Sequence, residues 1–274
     1  MKIDFSKILS LFPKRKKKAK VSLYRKKNII EINMIGGKYI RIISFCGNEK
    51  PKEESHRLYE FLFQNEEIIN NYTFTRIIQS LLPKKIRHYD LIFRTNKSIL
   101  TYESIPNSLL YSSKSIYKKQ FLSEWKDKDY LSYTKTYRKK KTDIYRTYLL
   151  KKSSVDFIKS IEKKFKIRFD NIILYSDMLY DCYKNPDENI LFLFRTYTLV
   201  TIVILKKGYP VMEKSFTVNQ YMDFIRSFSL ALSSYEKDNP KEKIDHYYLY
   251  ETDNRIREYL LKINITPEEG SPLW

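Results

Sequence analysis

An α/β fold is predicted for this chain by three observations. The first is the stretch Asn189–Thr217, where two runs rich in Ile, Val, Leu, Phe and Thr, Ile190–Arg195 and Leu199–Leu205, follow one another. Each has strand length and is too apolar for an ordinary surface strand. The second is the turn Lys206–Pro210 followed by an alternating third strand, Val211–Thr217. Gly208 supplies a positive φ there and Pro210 interrupts the ladder. The third is Val218–Tyr235, where Tyr221, Phe224, Ile225, Phe228, Leu232 and Tyr235 recur at spacings of three and four. That recurrence makes one apolar helical stripe.

An antiparallel meander followed by a helix is the opening of a ribonuclease-H-like subdomain, the unit that actin-like proteins use twice. The rest of the chain is consistent with two such lobes. Met1–Leu11 carries Ile3, Phe5, Ile8 and Leu9, which with Phe12 form one apolar face before Pro13; the basic run Lys14, Arg15, Lys16, Lys17, Lys18 follows. An apolar half-turn beside such a cluster is suited to an anionic membrane surface. A nuclear localisation signal, a nucleic-acid arm and a plain disordered tail are the alternatives. Val21–Phe45 reads as a hairpin turning at Gly36-Gly37. Ser55–Phe63 and Glu66–Leu82 read as helical or extended. Tyr89–Thr95 and Ser98–Glu103 form a second hairpin ended by Ile105-Pro106, and Ser112–Glu124 a helix with Ile116, Phe121 and Leu122 inward. Tyr130–Tyr137 and Thr142–Leu150 are alternating strands around Arg138–Lys141. Ser153 opens a helix to Phe165, Ile172–Leu174 is a strand, and Ser176–Tyr183 a short helix. After the meander come a last strand, Tyr247–Tyr250, and the helix Asn254–Ile263. The expected divisions are a tail (1–20), a first lobe (21–88), an inserted α+β subdomain (89–165) and a second lobe (166–274). No internal repeat is visible in the letters.

The 274 residues suffice for a core in each of two lobes. No apolar run reaches the roughly 18 residues of a membrane span, and there is no signal-peptide pattern. The chain is therefore expected in the cytoplasm, where Cys46 and Cys182 remain thiols. The formal charge is +20, which favours polyanions, although codon bias toward A/T also enriches lysine. Only five glycines are present, few for phosphate-cradling loops.

The order of these elements resembles the PilM family, the actin-like cytoplasmic component of type IV pilus assembly, related to the cell-division protein FtsA and the cytoplasmic domain of the secretion protein GspL. Ile29–Ile43 (IIEINMIGGKYIRII) sits where that family has its first hairpin. Asp90–Pro106 resembles the strand pair that opens its inserted subdomain, the helix Ser112–Glu124 its acidic helix, Thr142–Phe165 the strand and helix that close the insertion, and Asn189–Thr217 the second lobe's hairpin. The resemblance covers roughly residues 1–261 and lies in layout more than identity. Family members are usually longer, so part of the second lobe is expected to be missing. The resemblance implies an actin-like, two-lobed fold and a scaffold that receives the cytoplasmic N-terminal tail of a single-span membrane protein, peripheral at the inner face of the cell membrane. The groove it implies lies in Tyr89–Phe165, with strand edges at Ser98–Glu103 and Thr142–Leu150, and with Tyr102, Tyr145 and Tyr148 as apolar walls. The basic rim at Lys139–Lys141 and Lys151-Lys152 favours an acidic flank on such a peptide.

Departures from the pattern argue against nucleotide. Where actin-like ATPases place an acid and small residues, this chain reads Glu31–Gly37 with Met34 and Ile35 in the loop. Its second site reads Phe194–Thr198 without acid or glycine, and its adenosine loop Tyr250–Asn254 without glycine. No cofactor is expected, and no catalytic constellation is present. His56, His88 and His246 lack metal-ligand spacing, and Asp177 and Asp181 read as a solvated helix edge sooner than as an acid/base pair. Two alternatives remain: an ATPase of the same fold, or a nucleic-acid-binding sheet in which Tyr130, Tyr133, Tyr137, Tyr145 and Tyr148 interleave with Lys135, Arg138–Lys141, Arg146, Lys151 and Lys152.

Overall fold

A computed structural model describes residues 27–45, 52–64, 67–107, 113–125, 129–183, 187–250, 252 and 254–269. The expected membrane-contact residues Phe5, Ile8, Leu9 and Lys14–Lys18 lie outside them, as does Cys46. Two five-stranded sheets carry the architecture. The first contains β1 (Asn28–Asn33), β2 (Tyr39–Ser44), β3 (Lys52–Arg57), β6 (His88–Arg94) and β10 (Arg168–Ile172), in the order β10-β6-β1-β2-β3. The second contains β11 (Asn189–Thr196), β12 (Leu199–Lys206), β13 (Tyr209–Thr217), β14 (His246–Tyr250) and β15 (Glu268–Glu269), in the order β13-β12-β11-β14-β15.

The two orders are the same. In each lobe the first three strands form an antiparallel meander, and the next two add in parallel beside the first strand. The chain thus builds one topology twice, a repeat that the sequence does not display. Pattern constrains only which residues are apolar, and the two lobes use different ones: Ile-rich strands in the first, Phe- and Val-containing strands in the second.

Helices cover the outer faces. α1 (Asn71–Leu81) and α3 (Lys152–Phe165) pack Phe74, Ile78, Val155, Ile158 and Ile161 against Ile30, Ile32, Leu91 and Phe93. Asn70 caps α1 by accepting from the Thr73 amide. α5 (Tyr221–Asp238) and α6 (Asn254–Lys262) bury Phe224, Phe228, Ile256 and Leu260 against Leu191, Leu193 and Ile202. Between the sheets lies α4 (Tyr175–Cys182), whose Tyr175, Met178 and Leu179 join Ile29, Ile92, Phe192 and Val203 in a shared core. Each such side chain contributes about 1.5–3 kcal/mol by leaving water. The buried pattern of β11 and β12 is continuous because α4 and α5 cover the two faces.

The insertion is smaller than the sequence suggests. Its sheet is β7 (Ser98–Pro106), β9 (Thr142–Lys151) and β8 (Tyr130–Arg138), in the order β7-β9-β8. Strand β6 pairs in parallel with β1 and so belongs to the first lobe, as do β10 and the core face of α3. The boundaries at 89 and 166 therefore fall inside the first lobe. The helix expected over Ser112–Glu124 is regular only as α2 (Ser113–Tyr117), continuing in wider and then tighter turns to Trp125. A short hairpin, β4 (Phe63–Gln64) with β5 (Glu67–Ile68), precedes α1. Among the described residues, no helix is long and apolar enough to cross a membrane.

Candidate functional site: a filled interlobe cleft and an open cleft beside the insertion

Where the two lobes face each other, polar side chains project from strand positions that are otherwise apolar. Glu31 of β1, Arg41 of β2 and Arg94 of β6 are all buried. Arg41 reaches Glu31 at 3.0 Å and Glu53 at 3.3 Å. Arg94 crosses to the second lobe, pairing Glu213 of β13 at 2.8 Å and donating to Ser215, while its Nε faces Glu31 at 3.6 Å. Tyr39 and Tyr175 donate to Glu31 at 2.6 and 2.7 Å, and Arg41 also donates to the Tyr175 hydroxyl. Glu213 in turn accepts from the Ser176 amide at 2.9 Å. Burial alone opposes ionisation of Glu31, yet Arg41 and Arg94, with the two tyrosine hydroxyls, hold its pKa below the usual carboxylate value. Burial pushes the Tyr39 and Tyr175 hydroxyls well up, so they act as donors.

The hairpin tips complete the closure. Gly36 has φ +56°, and a Cβ there would lie 2.2 Å from Thr217 Oγ1 of the second lobe. The neighbouring Gly37 donates its amide to Thr198 Oγ1 at 2.9 Å, and a Cβ on it would meet that atom at 2.2 Å. The two loops that the sequence identifies as phosphate-site counterparts are thus pressed together. Tyr197, between β11 and β12, packs on Tyr39 and contacts Ser55, and Tyr250 donates to Glu53 across the lobes. The cavity left beside Arg94 and Glu213 is about 240 Å³, below the roughly 300–1,000 Å³ of ligand pockets. Met34 is buried in the first core, as its place in the loop implies. Asp253 of the adenosine loop lies outside the described residues.

The expected peptide walls are placed differently from the sequence reading. β9 is the middle strand of its sheet, paired to β7 on one side and β8 on the other, so Thr142–Leu150 offers no edge. Tyr145 is buried against Tyr117, ring on ring at 4.5 Å. Tyr148 is buried and donates to the Phe93 carbonyl, and Tyr102 donates to Ser176 at 2.8 Å. Tyr102 and Tyr148 thus fasten the insertion to the rest of the fold, and Tyr145 packs within the insertion's own core. Burial of Tyr137, Tyr145 and Tyr148 also removes them as a platform for stacking bases.

The open space lies on the other side of the insertion. A cleft of about 570 Å³ runs between β8, α3, β10 and α4. Two sheet edges border it: among the described residues β8 pairs only with β9, and β10 only with β6. At its floor Arg146 pairs with Asp177 at 2.6 Å. Asp177, expected on a solvated edge with Asp181, is instead fully buried, accepting also from Tyr137 and from the Leu174 amide. Its bond to that amide closes the first turn of α4. Lys135 bridges Asp177 and Asp181 at 3.9 and 3.4 Å. The sequence signal for both clusters is a charged residue inside an apolar strand: Arg41 in YIRII, Arg94 after LIF, and Arg146 in IYRTY.

Among the described residues no group of His, Cys, Asp and Glu is arranged to hold a metal ion. His88 pairs with Asp170 and His246 with Glu268 and Glu188, all on the outside.

No family model and no curated sequence matches the chain. Solved structures do. A chain of the PilM–PilN type IV pilus biogenesis complex is similar over 91% of this chain and 89% of its own, with a TM-score of 0.63 and 13% identity. A Bacteroides thetaiotaomicron protein of unknown function with an actin-like ATPase fold covers 100% and 95%, at a TM-score of 0.48 and 13% identity. The cytoplasmic domain of EpsL, an inner-membrane component of the Vibrio cholerae type II secretion system, covers 82% and 86%, at 0.47 and 12%. The twofold use of one sheet topology, with an insertion in the first lobe, is therefore an actin-like fold of the PilM kind.

Proposed function

We propose that this protein is a catalytically silent scaffold of a pilus- or secretion-type assembly machine, holding the cytoplasmic tail of a single-span membrane partner. The observation that carries the reading is the interlobe cleft, occupied by Glu31, Arg41, Arg94 and Glu213 and closed at its mouth by the Gly36–Thr217 and Gly37–Thr198 approaches. Phosphates need glycine amides facing open space. Here the Gly37 amide is taken by Thr198, and Thr217 fills the space beside Gly36. An ion-paired, hydrogen-bonded cleft also joins the two lobes in one arrangement, which suits holding sooner than cycling. Similarity to a chain of the PilM–PilN complex supports the assembly context.

The partner peptide is assigned to the cleft beside the insertion, in place of Tyr102, Tyr145 and Tyr148. Two edges that have no outer strand among the described residues, Tyr133–Lys135 on β8 and Phe169–Ile172 on β10, border one space there, with the Phe169 amide already donating to Glu162. An extended segment entering it gains main-chain hydrogen bonds from an edge and specificity from the floor. The test of the scaffold reading is calorimetric titration of the full chain with ATP and Mg²⁺. No saturable heat is expected. A one-site micromolar isotherm would reassign the protein to the nucleotide-binding members of its fold.

A further inference from the structure

The floor of the open cleft carries a buried cation that is only partly used. Arg146 is 2% exposed. Its Nη2 donates to Asp177, but its Nε and Nη1 have no acceptor among the described residues. Buried guanidinium N–H groups are costly when unmatched, and native structures seldom leave them so. The lining carries as many cations as anions, Lys27, Lys135, Arg146 and Lys159 against Glu162, Asp170, Asp177 and Asp181. Arg146 is paired with Asp177, Lys135 with Asp181, and Lys27 with Asp90 at 2.9 Å. Lys159 stands on α3 three residues before Glu162.

We infer that this cleft selects an uncharged segment of its peptide, presenting neutral carbonyl oxygens to Arg146 Nε and Nη1: main-chain carbonyls or the carboxamide of Asn or Gln. The donors ask for acceptors. A carboxylate would supply them but would add an unbalanced buried charge to a one-for-one set, and would lie beside Asp177. A carbonyl oxygen satisfies the guanidinium without disturbing the Arg146–Asp177 pair. This revises the expectation from the basic rim Lys139–Lys141, which pointed to an acidic peptide. The inference rests on the peptide reading of the cleft.

The probes are two capped pentapeptides, acetyl-Val-Ala-Asn-Ala-Val-amide and its Asp counterpart, titrated into the full-length ¹⁵N-labelled protein. The Arg146 Nε–H signal, assigned through Arg146→Lys, reports the floor, and the Tyr133–Lys135 amides report the edge. The Asn peptide should shift both, bind at least tenfold more tightly than the Asp peptide, and change affinity less than twofold between 50 and 500 mM salt. Equal or tighter binding of the Asp peptide, or a steep salt dependence, overturns the inference. Edge amides that move while Arg146 stays still also overturn it, and leave the peptide reading standing. If neither reporter moves with either peptide, the peptide reading fails and the inference with it.

Discussion

Arg94 of the first lobe places its Nη2 2.8 Å from Glu213 of the second, and both side chains are buried. No solvent screens this pair, and Glu31 approaches the same guanidinium from behind. It joins the two lobes across the interlobe cleft.

Arg94→Ala should therefore destabilise the protein by about 3–5 kcal/mol, because it leaves Glu213 and Glu31 buried with less compensation. Arg94→Met with Glu213→Leu removes both charges and should cost markedly less. Urea unfolding of both variants checks this; equal losses would mean that packing, not charge, sets the effect.

The pH dependence has a definite sign. The folded-state pKa of Glu31 lies below its ordinary 4.5, so its stabilisation is fully present above about that value and is lost as pH falls through the lower folded value. Glu31→Gln should be less stable at neutral pH, yet lose less on acidification within that window. Stability measured by urea at stepwise pH from neutral downward reads the difference in slope.

His246 runs the opposite way. Its hydrogen bond to Glu268 raises its pKa above 6.5, so its contribution is complete below about that value and fades as pH rises through the folded one. β15, which among the described residues pairs only with β14, should exchange its amides faster at pH 9 than at pH 6 after correction for intrinsic rates. His246→Gln should flatten that dependence.

The closure at the hairpin tips is testable by size. Gly37→Ala places a Cβ 2.2 Å from Thr198 Oγ1 and should cost about 1–3 kcal/mol by overpacking. Adding Thr198→Ala removes the obstruction, although it forfeits the Gly37 amide's acceptor. The double variant should recover part of the loss in thermal unfolding, and no recovery would place the strain elsewhere.

We propose that membrane contact is made by the tail. Deleting residues 1–20 should lower sedimentation with acidic liposomes, and salt should do the same, because surface charge attraction is screened within about 8 Å at physiological ionic strength. Unchanged sedimentation of the deletion would move the contact to the folded part of the chain.

Much of the fold was legible because strands and helices advertise themselves by period. The meander at Asn189–Thr217 and the stripe Tyr221 to Tyr235 stand where pattern put them, with helix α5 shifted by three residues. Pairing partners were not legible. Tyr89–Thr95 looks like one arm of a hairpin with Ser98–Glu103, but its apolar residues are covered on both faces, and it lies in the first sheet beside β1. Likewise an alternating strand such as Thr142–Leu150 reads the same whether it is an edge or a centre. The candidate site was hidden for the same reason. Glu31 was visible as a lone acid, but Arg41, Arg94 and Glu213 become one cluster only when three strands and two lobes meet.

The first sheet ends in two chemically different borders. β10 carries Phe169 and Ile172 beside the open cleft, whereas β3 reads Lys52-Glu53-Glu54-Ser55-His56-Arg57 and is largely exposed. A strand joining β3 would have to strip water from ionic side chains of both signs, so that border resists self-association between copies. Lattice-like growth and aggregation are thereby discouraged at one end of the sheet while the other stays receptive. Replacing the exposed charges of β3 by threonine should leave the fold intact and increase self-association.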